Sequence, residues 1–207
     1  MMGAIFDLDG VIVDTAKYHY LAWKELAKEL GFDFTEKDNE RLKGVSRMDS
    51  LEILLSVGNI TIESQKEKEQ LANKKNARYV EMLGGLNENE LLDGAKEYLL
   101  KLKSNGIKIA LGSASKNAPF ILEKLDIAWL FDAIVDGNLI TKAKPDPEVF
   151  LKAAELLELS PCECVVYEDS QAGIDAAITA GCGTVAVDIN GILLGADKKV
   201  KTLSELL

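Results

Sequence analysis

Across residues 107–187 the sequence alternates short apolar runs with helical patterns, and this alternation limits the possible folds more than any other feature. Residues 107–111, 131–135, 164–167 and 184–187 read as strands, as do residues 2–6 near the start. The helical segments between them carry local start and stop signals. Asp93 is placed to cap a helix that runs to Ser104 and is closed by Gly106. Residues 112–117 form a turn into a helix with Pro119 in its first turn. Asp146 and Pro147 open a helix to about Leu159, residues 170–180 form another closed by Gly181, and residues 203–207 form a short terminal one. Repeated strand–helix units predict an α/β protein whose mostly parallel sheet has helices on both faces.

The region between the first strand and this alternation is different. Residues 16–30 carry Tyr20, Trp23, Ala27 and Leu30 at helical spacing, and Gly31 ends the helix. Thr35 and Asp38 have the spacing of a capping pair, and residues 48–57 form a helix with Met48, Leu51 and Leu55 on one side. Ser64 and Glu67 open a third helix to about Leu83, with Leu71, Lys75 and Tyr79 on one stripe. No strand pattern occurs between Ala16 and Met82, so a small helical module is expected to interrupt the core, with Gly84 and Gly85 as its second hinge. The expected organisation is a core domain in two segments, residues 1–14 and 86–207, with a helical cap domain over 15–85.

A length of 207 residues suffices for one sizeable core and a smaller module. The net charge of -10 argues against nonspecific nucleic-acid binding, and no apolar run approaches the length that spans a bilayer. A phosphorylated substrate is compatible with that charge, because local lysines, a helix N-terminus and a metal can hold an anion within an acidic protein. Residues 1–4 lack a basic region before a hydrophobic segment, so no signal peptide is expected. Cys162 and Cys164 lie close in sequence without a second pair, a weak metal signal. With Cys182 they make an odd number, which argues against a disulfide framework and fits a reducing cytoplasm.

The candidate chemistry begins directly after the first strand. Asp7 and Asp9 lie at the strand end where open α/β sheets place their ligands. Alternate residues of an extended chain share a face, so the two carboxylates are side by side and Leu8 points to the core. Such neighbours are costly unless a cation compensates them or one takes a proton. A hard cation such as magnesium, sharing a phosphate as ligand, meets that need. Gly10 then permits a tight turn. Three later segments add matching groups. The turn at Gly112, Ser113, Ala114 and Ser115 offers a hydroxyl and backbone N–H groups, Lys144 precedes Pro145, and Glu168 and Asp169 follow a strand.

These four pieces occur in the order found in the haloacid dehalogenase-like superfamily, which the chain resembles. The resemblance implies a Rossmann-like core with an inserted cap. It implies that Asp7 becomes an aspartyl-phosphate and that Asp9 is the general acid and base. Magnesium would be held by Asp7, Asp169 and the backbone carbonyl of Asp9, with Glu168 as a direct or outer partner. Lys144, Ser113 and the Ala114 N–H would stabilise charge on the transferring group.

A narrower likeness covers essentially the whole chain. Residues 14–23, 42–47, 75–76, 110–117 and 168–174 resemble the beta-phosphoglucomutase family. That resemblance implies interconversion of beta-glucose 1-phosphate and glucose 6-phosphate, a small-molecule sugar phosphate, through beta-glucose 1,6-bisphosphate. A monomer is the expected state because the cap itself covers the site, and the cysteines fit a cytoplasmic location. Arg47 would grip the non-transferring phosphate, with Ser115, Lys116 and Asn117 nearby. Lys43 and Gly44 would belong to a loop over the sugar. His19 would couple cap closure to Asp9, Lys75 would join the substrate-gripping network, and Trp23 would pack with some substrate contact. Residues 136–143 depart from the family's own loop. The rival is a magnesium-dependent sugar-phosphate phosphatase, which would use the same core residues with water as acceptor. His19, Lys43, Arg47 and Lys75 favour the sugar.

Overall fold

The computed structural model describes residues 1–42 and 45–207. In chain order, β1 (Gly3–Phe6) precedes α1 (Ala16–Glu29), α2 (Glu36–Asn39), α3 (Arg47–Val57) and α4 (Gln65–Met82). Then follow α5 (Ala95–Ser104), β2 (Lys108–Gly112), α6 (Ala118–Lys124), β3 (Ala133–Val135), α7 (Glu148–Leu156), β4 (Cys164–Glu168), α8 (Gln171–Ala180), β5 (Gly183–Val187) and β6 (Lys198–Val200). The chain divides into two compact units, Met1–Asp14 with Leu86–Leu207, and Thr15–Gly85.

The larger unit is built on a six-stranded sheet of order β3-β2-β1-β4-β5-β6, parallel throughout. β1 is central. Phe6 stands opposite both Leu111 of β2 and Tyr167 of β4, so the three strands end level with one another. Successive residues of a strand face opposite sides. Ile5 packs with Val149, Phe150 and Ala153 of α7 and with Ala176 and Ala177 of α8. Phe6 turns to the other side, stacking on Tyr167 at 4.4 Å and meeting Tyr98 of α5 edge-on at 6.2 Å. Helices therefore cover both faces, as an all-parallel sheet requires. There Tyr98 and Tyr167 bring their buried hydroxyls to 2.8 Å, so each satisfies the other.

Local details differ from the sequence reading, among them the start of α7, where Pro147 and not Asp146 holds the cap position, and its end at Leu156. β6 was not expected, because two lysines in three residues hide a strand pattern; both lysines are exposed on this edge strand, and Val200 alone is buried. Asp93 does not cap α5. Gly94 holds that position, and Asp93 instead accepts from the hydroxyls of Thr202 at 3.0 Å and Ser204 at 2.5 Å, tying the chain's end to the start of the helix.

The smaller unit is helical among the described residues. Thr35 and Asp38 form a full capping box at α2, and the Ser46 and Ser64 hydroxyls accept from Asp49 N and Glu67 N at the starts of α3 and α4. Trp23, Leu26 and Ala27 of α1 pack with Phe34, with Leu51, Leu54 and Leu55 of α3 and with Ala72 of α4. Leu54 is fully buried in this cluster. Leu54→Ala should destabilise this unit by about 3 kcal/mol, the usual cost of removing a buried leucine side chain. Urea unfolding followed by the fluorescence of Trp23, which is buried in the same cluster, measures the loss in a Trp129→Phe background.

Candidate active site

The C-terminal ends of β1, β2 and β4 place the acidic and hydroxyl residues along one edge of the sheet. Asp7 extends the pairing of β1, its N–H donating to Tyr167 O at 3.0 Å. The chain then doubles back. Leu8 O accepts from Ile12 N and Val13 N, and Gly10 N donates to Val13 O at 2.8 Å. Gly10 sits at φ 84°, and a Cβ there would lie 2.0 Å from Asp169 Oδ2. Both the left-handed backbone and the closeness of the second carboxylate require glycine.

Lys144 is the cation of this edge. Its Nζ donates to Asp7 Oδ1 at 2.5 Å and to Glu168 Oε1, and it lies 4.8 Å from the centroid of the buried Phe150 ring. Glu168 is held from behind. Its other oxygen accepts from Asp169 N, Ser170 N and Ser170 Oγ at 2.9–3.0 Å. α8 comes so close at Gly173 that a Cβ there would stand 1.9 Å from Glu168 Cδ.

One ammonium does not balance the carboxylates around it. Burial pushes Asp7 up to about 7 against the pull of Lys144, and the charges of Glu168 and Asp9 add to the rise. Burial likewise lifts Asp169 to about 8, with repulsion from Glu168 and Asp7. Burial works against the charge on Lys144, yet attraction to Asp7 and Glu168 raises its pKa above the usual lysine range.

On the β2 side Ser113 is buried, and its N–H donates to Val135 O at 3.0 Å. Its hydroxyl oxygen accepts from Ser115 N at 3.1 Å, and the Ser115 hydroxyl accepts from Asn117 N at 3.3 Å. With its acceptor side engaged, the Ser113 hydroxyl has its proton to offer to an anion. Ala114, Ser115 and Asn117 are half-buried and Lys116 is exposed.

The helical unit holds a second polar cluster. Lys75 is buried on α4, its Nζ 2.7 Å from His19 Nδ1 and 4.7 and 4.8 Å from the ring centroids of Trp23 and Tyr79. A lysine only donates, so Nδ1 is the acceptor and the imidazole is neutral with its proton on Nε2. Burial first, then the charges of Lys75 and Arg47, hold His19 well below its usual pKa. Tyr79 Oη donates to the buried Thr15 Oγ1 at 3.0 Å, fixing the start of α1. Arg47, half-buried, is the first residue of α3. Lys43 and Gly44 lie outside the described residues.

Residues 1–181 match the family model of the haloacid dehalogenase-like hydrolases. The chain belongs to that family. It is 46% identical over 207 residues to a beta-phosphoglucomutase of Bacillus subtilis, covering 100% of this chain and 92% of that protein. A crystal structure of beta-phosphoglucomutase from Clostridium difficile superposes with a TM-score of 0.95 at 43% identity, covering 100% of this chain and 93% of the other. A phosphorylated carbohydrates phosphatase of Thermotoga maritima is 34% identical over 183 residues, covering 87% of this chain and 82% of that protein.

As a haloacid dehalogenase-like enzyme, the chain works by phosphoryl transfer, and family membership implies magnesium. Among the described residues no three His, Cys, Asp or Glu side chains are gathered tightly enough to hold a metal ion as they stand. The donor chemistry nonetheless fits. The groups are carboxylate oxygens, burial and mutual repulsion disfavour their charged forms, and magnesium takes few protein carboxylates and completes its shell with water and phosphate. Among the described residues no helix is long and apolar enough to cross a membrane.

Sequence reasoning singled out the carboxylates and Lys144 but gave no role to the backing of Glu168. Ser170 and Gly173 supply it, and both stand in the acidic strand-end segment already noted. Gly173→Ala should push the Glu168 carboxylate off Lys144 and lower turnover at least about tenfold, since small misplacements in a catalytic array are costly. Steady-state kinetics with a circular-dichroism check of folding tests this.

The neutral state of His19 sets a pH dependence. The unfolded chain binds a proton at this residue near pH 6.5, as a free histidine does, and the folded chain resists it. The contribution is therefore present above about pH 6.5 and is lost as pH falls below it, with a slope of at most about 1.4 kcal/mol per pH unit. His19→Gln should lose less stability than the parent between about pH 6.5 and 5 in paired urea titrations, since the variant has no imidazole to protonate.

Proposed function

We propose that this enzyme interconverts beta-D-glucose 1-phosphate and D-glucose 6-phosphate, using Asp7 as phosphoryl carrier and beta-glucose 1,6-bisphosphate as intermediate. One observation carries the assignment of Asp7: its carboxylate is buried at the end of the central strand with Lys144 bonded to it. The full-length match to beta-phosphoglucomutases, running through the helical unit as well as the core, supports the sugar over water as acceptor.

Phosphorylated Asp7 presents its phosphorus to the free hydroxyl of the sugar phosphate. The new P–O bond forms as the bond to Asp7 breaks, and Asp9 takes the hydroxyl proton. The bisphosphate reorients and Asp7 attacks its other phosphate. Asp9 returns the proton to the departing sugar oxygen, so both aspartates end as they began. Lys144 neutralises charge on Asp7 and the moving group. The Ser113 hydroxyl and the Ala114 N–H bind phosphoryl oxygens, supported by the turn through Ser115, Lys116 and Asn117. Asp7, Asp169, the Asp9 carbonyl and Glu168 would hold magnesium, which would supply positive charge to the phosphoryl oxygens.

The helical unit contributes the second phosphate's recognition. Arg47 suits it because a guanidinium binds a phosphate through two parallel bonds. Lys75 and His19 form one donor–acceptor pair that fixes the local charge, with Trp23 as its apolar wall. Lys43 and Gly44 act on the sugar. Cap closure excludes water, which would otherwise hydrolyse the aspartyl-phosphate. The protein acts as a cytoplasmic monomer on this small molecule.

The test supplies beta-glucose 1-phosphate, magnesium and a trace of the bisphosphate. Glucose 6-phosphate should form without accumulation of inorganic phosphate, and EDTA or Asp7→Asn should abolish its formation. Inorganic phosphate released without glucose 6-phosphate would establish a phosphatase instead.

A further inference from the structure

The segment between β3 and α7 runs from beside the phosphate-binding turn to Lys144, and it is pinned at both ends. At its start Gly137 N donates to Ser115 O at 3.2 Å and Asn138 Nδ2 donates to Lys116 O at 3.4 Å. At its end one carboxylate oxygen gathers three donors. Glu148 Oε2 accepts from Thr141 N at 2.9 Å, Thr141 Oγ1 at 2.9 Å and Lys142 N at 2.7 Å. The other oxygen pairs with Lys152 Nζ at 2.9 Å, one turn further along α7, and Lys152 also bonds Leu139 O. Asp146 Oδ1 accepts from Glu148 N at 3.1 Å, which locks the base of the clamp.

An acidic residue in a first helical turn is ordinarily explained by the helix dipole. That explanation asks nothing of the chain outside the helix. The Glu148 bonds run outward, to the stretch that leads into Lys144. Lysine carries its charge on a flexible four-carbon stem, so the position of its ammonium depends on where its backbone is anchored. Lys142 is two residues from Lys144, and the Lys144 ammonium must reach both Asp7 and Glu168.

We propose that Glu148 is a positioning residue for Lys144: by fixing Thr141 and Lys142 to the start of α7, it sets the backbone from which the ammonium reaches between Asp7 and Glu168. This rests on the reading of Lys144 as the charge-neutralising group of the site. The Glu148 carboxyl is held down at about 2 by Lys152 and by the N–H groups of Lys142 and Thr141, so the clamp stays charged across the working range of pH.

The experiment measures lysine exposure and turnover separately in Glu148→Gln and Thr141→Val. Substrate-free protein is labelled with trace acetic anhydride, and labelling at each lysine is read by mass spectrometry. In Glu148→Gln the labelling rate of Lys144 should rise about tenfold, while the buried Lys75 of the other unit and the exposed Lys24 stay unchanged. Turnover should fall about tenfold with KM within about twofold, and Thr141→Val should give a smaller change in the same direction. Unchanged labelling of Lys144 in both variants overturns the proposal, whatever turnover does. So does an equal rise at Lys75, which would show general loosening. Labelling needs no substrate. A selective rise at Lys144 in a protein without mutase activity would uphold the clamp and reject the function above.

Discussion

The structure depends on an imbalance of charge at one end of its sheet. Asp7 and Glu168 share the ammonium of Lys144 with Asp9 and Asp169 close by, and burial makes the crowding of carboxylates expensive. Much of the neighbouring structure serves to keep these like charges together. Ser170 and two backbone N–H groups occupy one Glu168 oxygen, Gly10 leaves space for Asp169, and Gly173 leaves space for Glu168. The aromatic layer of Phe6, Tyr98 and Tyr167 backs the same strand ends from the core. Such a site has a standing affinity for added positive charge. It is suited to receive a divalent cation together with a phosphate.

The helical unit solves a smaller problem of the same kind in the opposite sense. Lys75 is a buried lysine whose partners include the Nδ1 lone pair of His19 and the faces of Trp23 and Tyr79.

Much of the fold class was legible because the evidence for it is local. Apolar runs and cap residues repeat with strand and helix period, and a parallel α/β sheet follows from their order. β6 was not legible, since an exposed edge strand of three residues needs only one buried side chain, Val200. Asp93 misled for a related reason: its partners, Thr202 and Ser204, are far along the chain. The candidate site divides in the same way. Asp7 and Glu168 could be singled out by their positions at strand ends, and Lys144 by its place before Pro145 and a helix. That one lysine would bridge the other two depends on strand register, and that Glu148 would hold a loop depends on the approach of α7. Neither has a signal within a short window of sequence.

β1 has a further consequence for how the molecule comes into being. Its neighbours on the two sides are β2 and β4, so Gly3 waits for Lys108 and for Cys164. On a ribosome the first strand emerges long before either partner exists, whereas the helical unit Thr15–Gly85 is one unbroken stretch and can fold as soon as it is complete. Loop closure over such separations is slow. The carboxylates that follow β1 thus meet Lys144 and Glu168 late in synthesis, and a chain truncated before them carries Asp7 and Asp9 without the groups that complete the site.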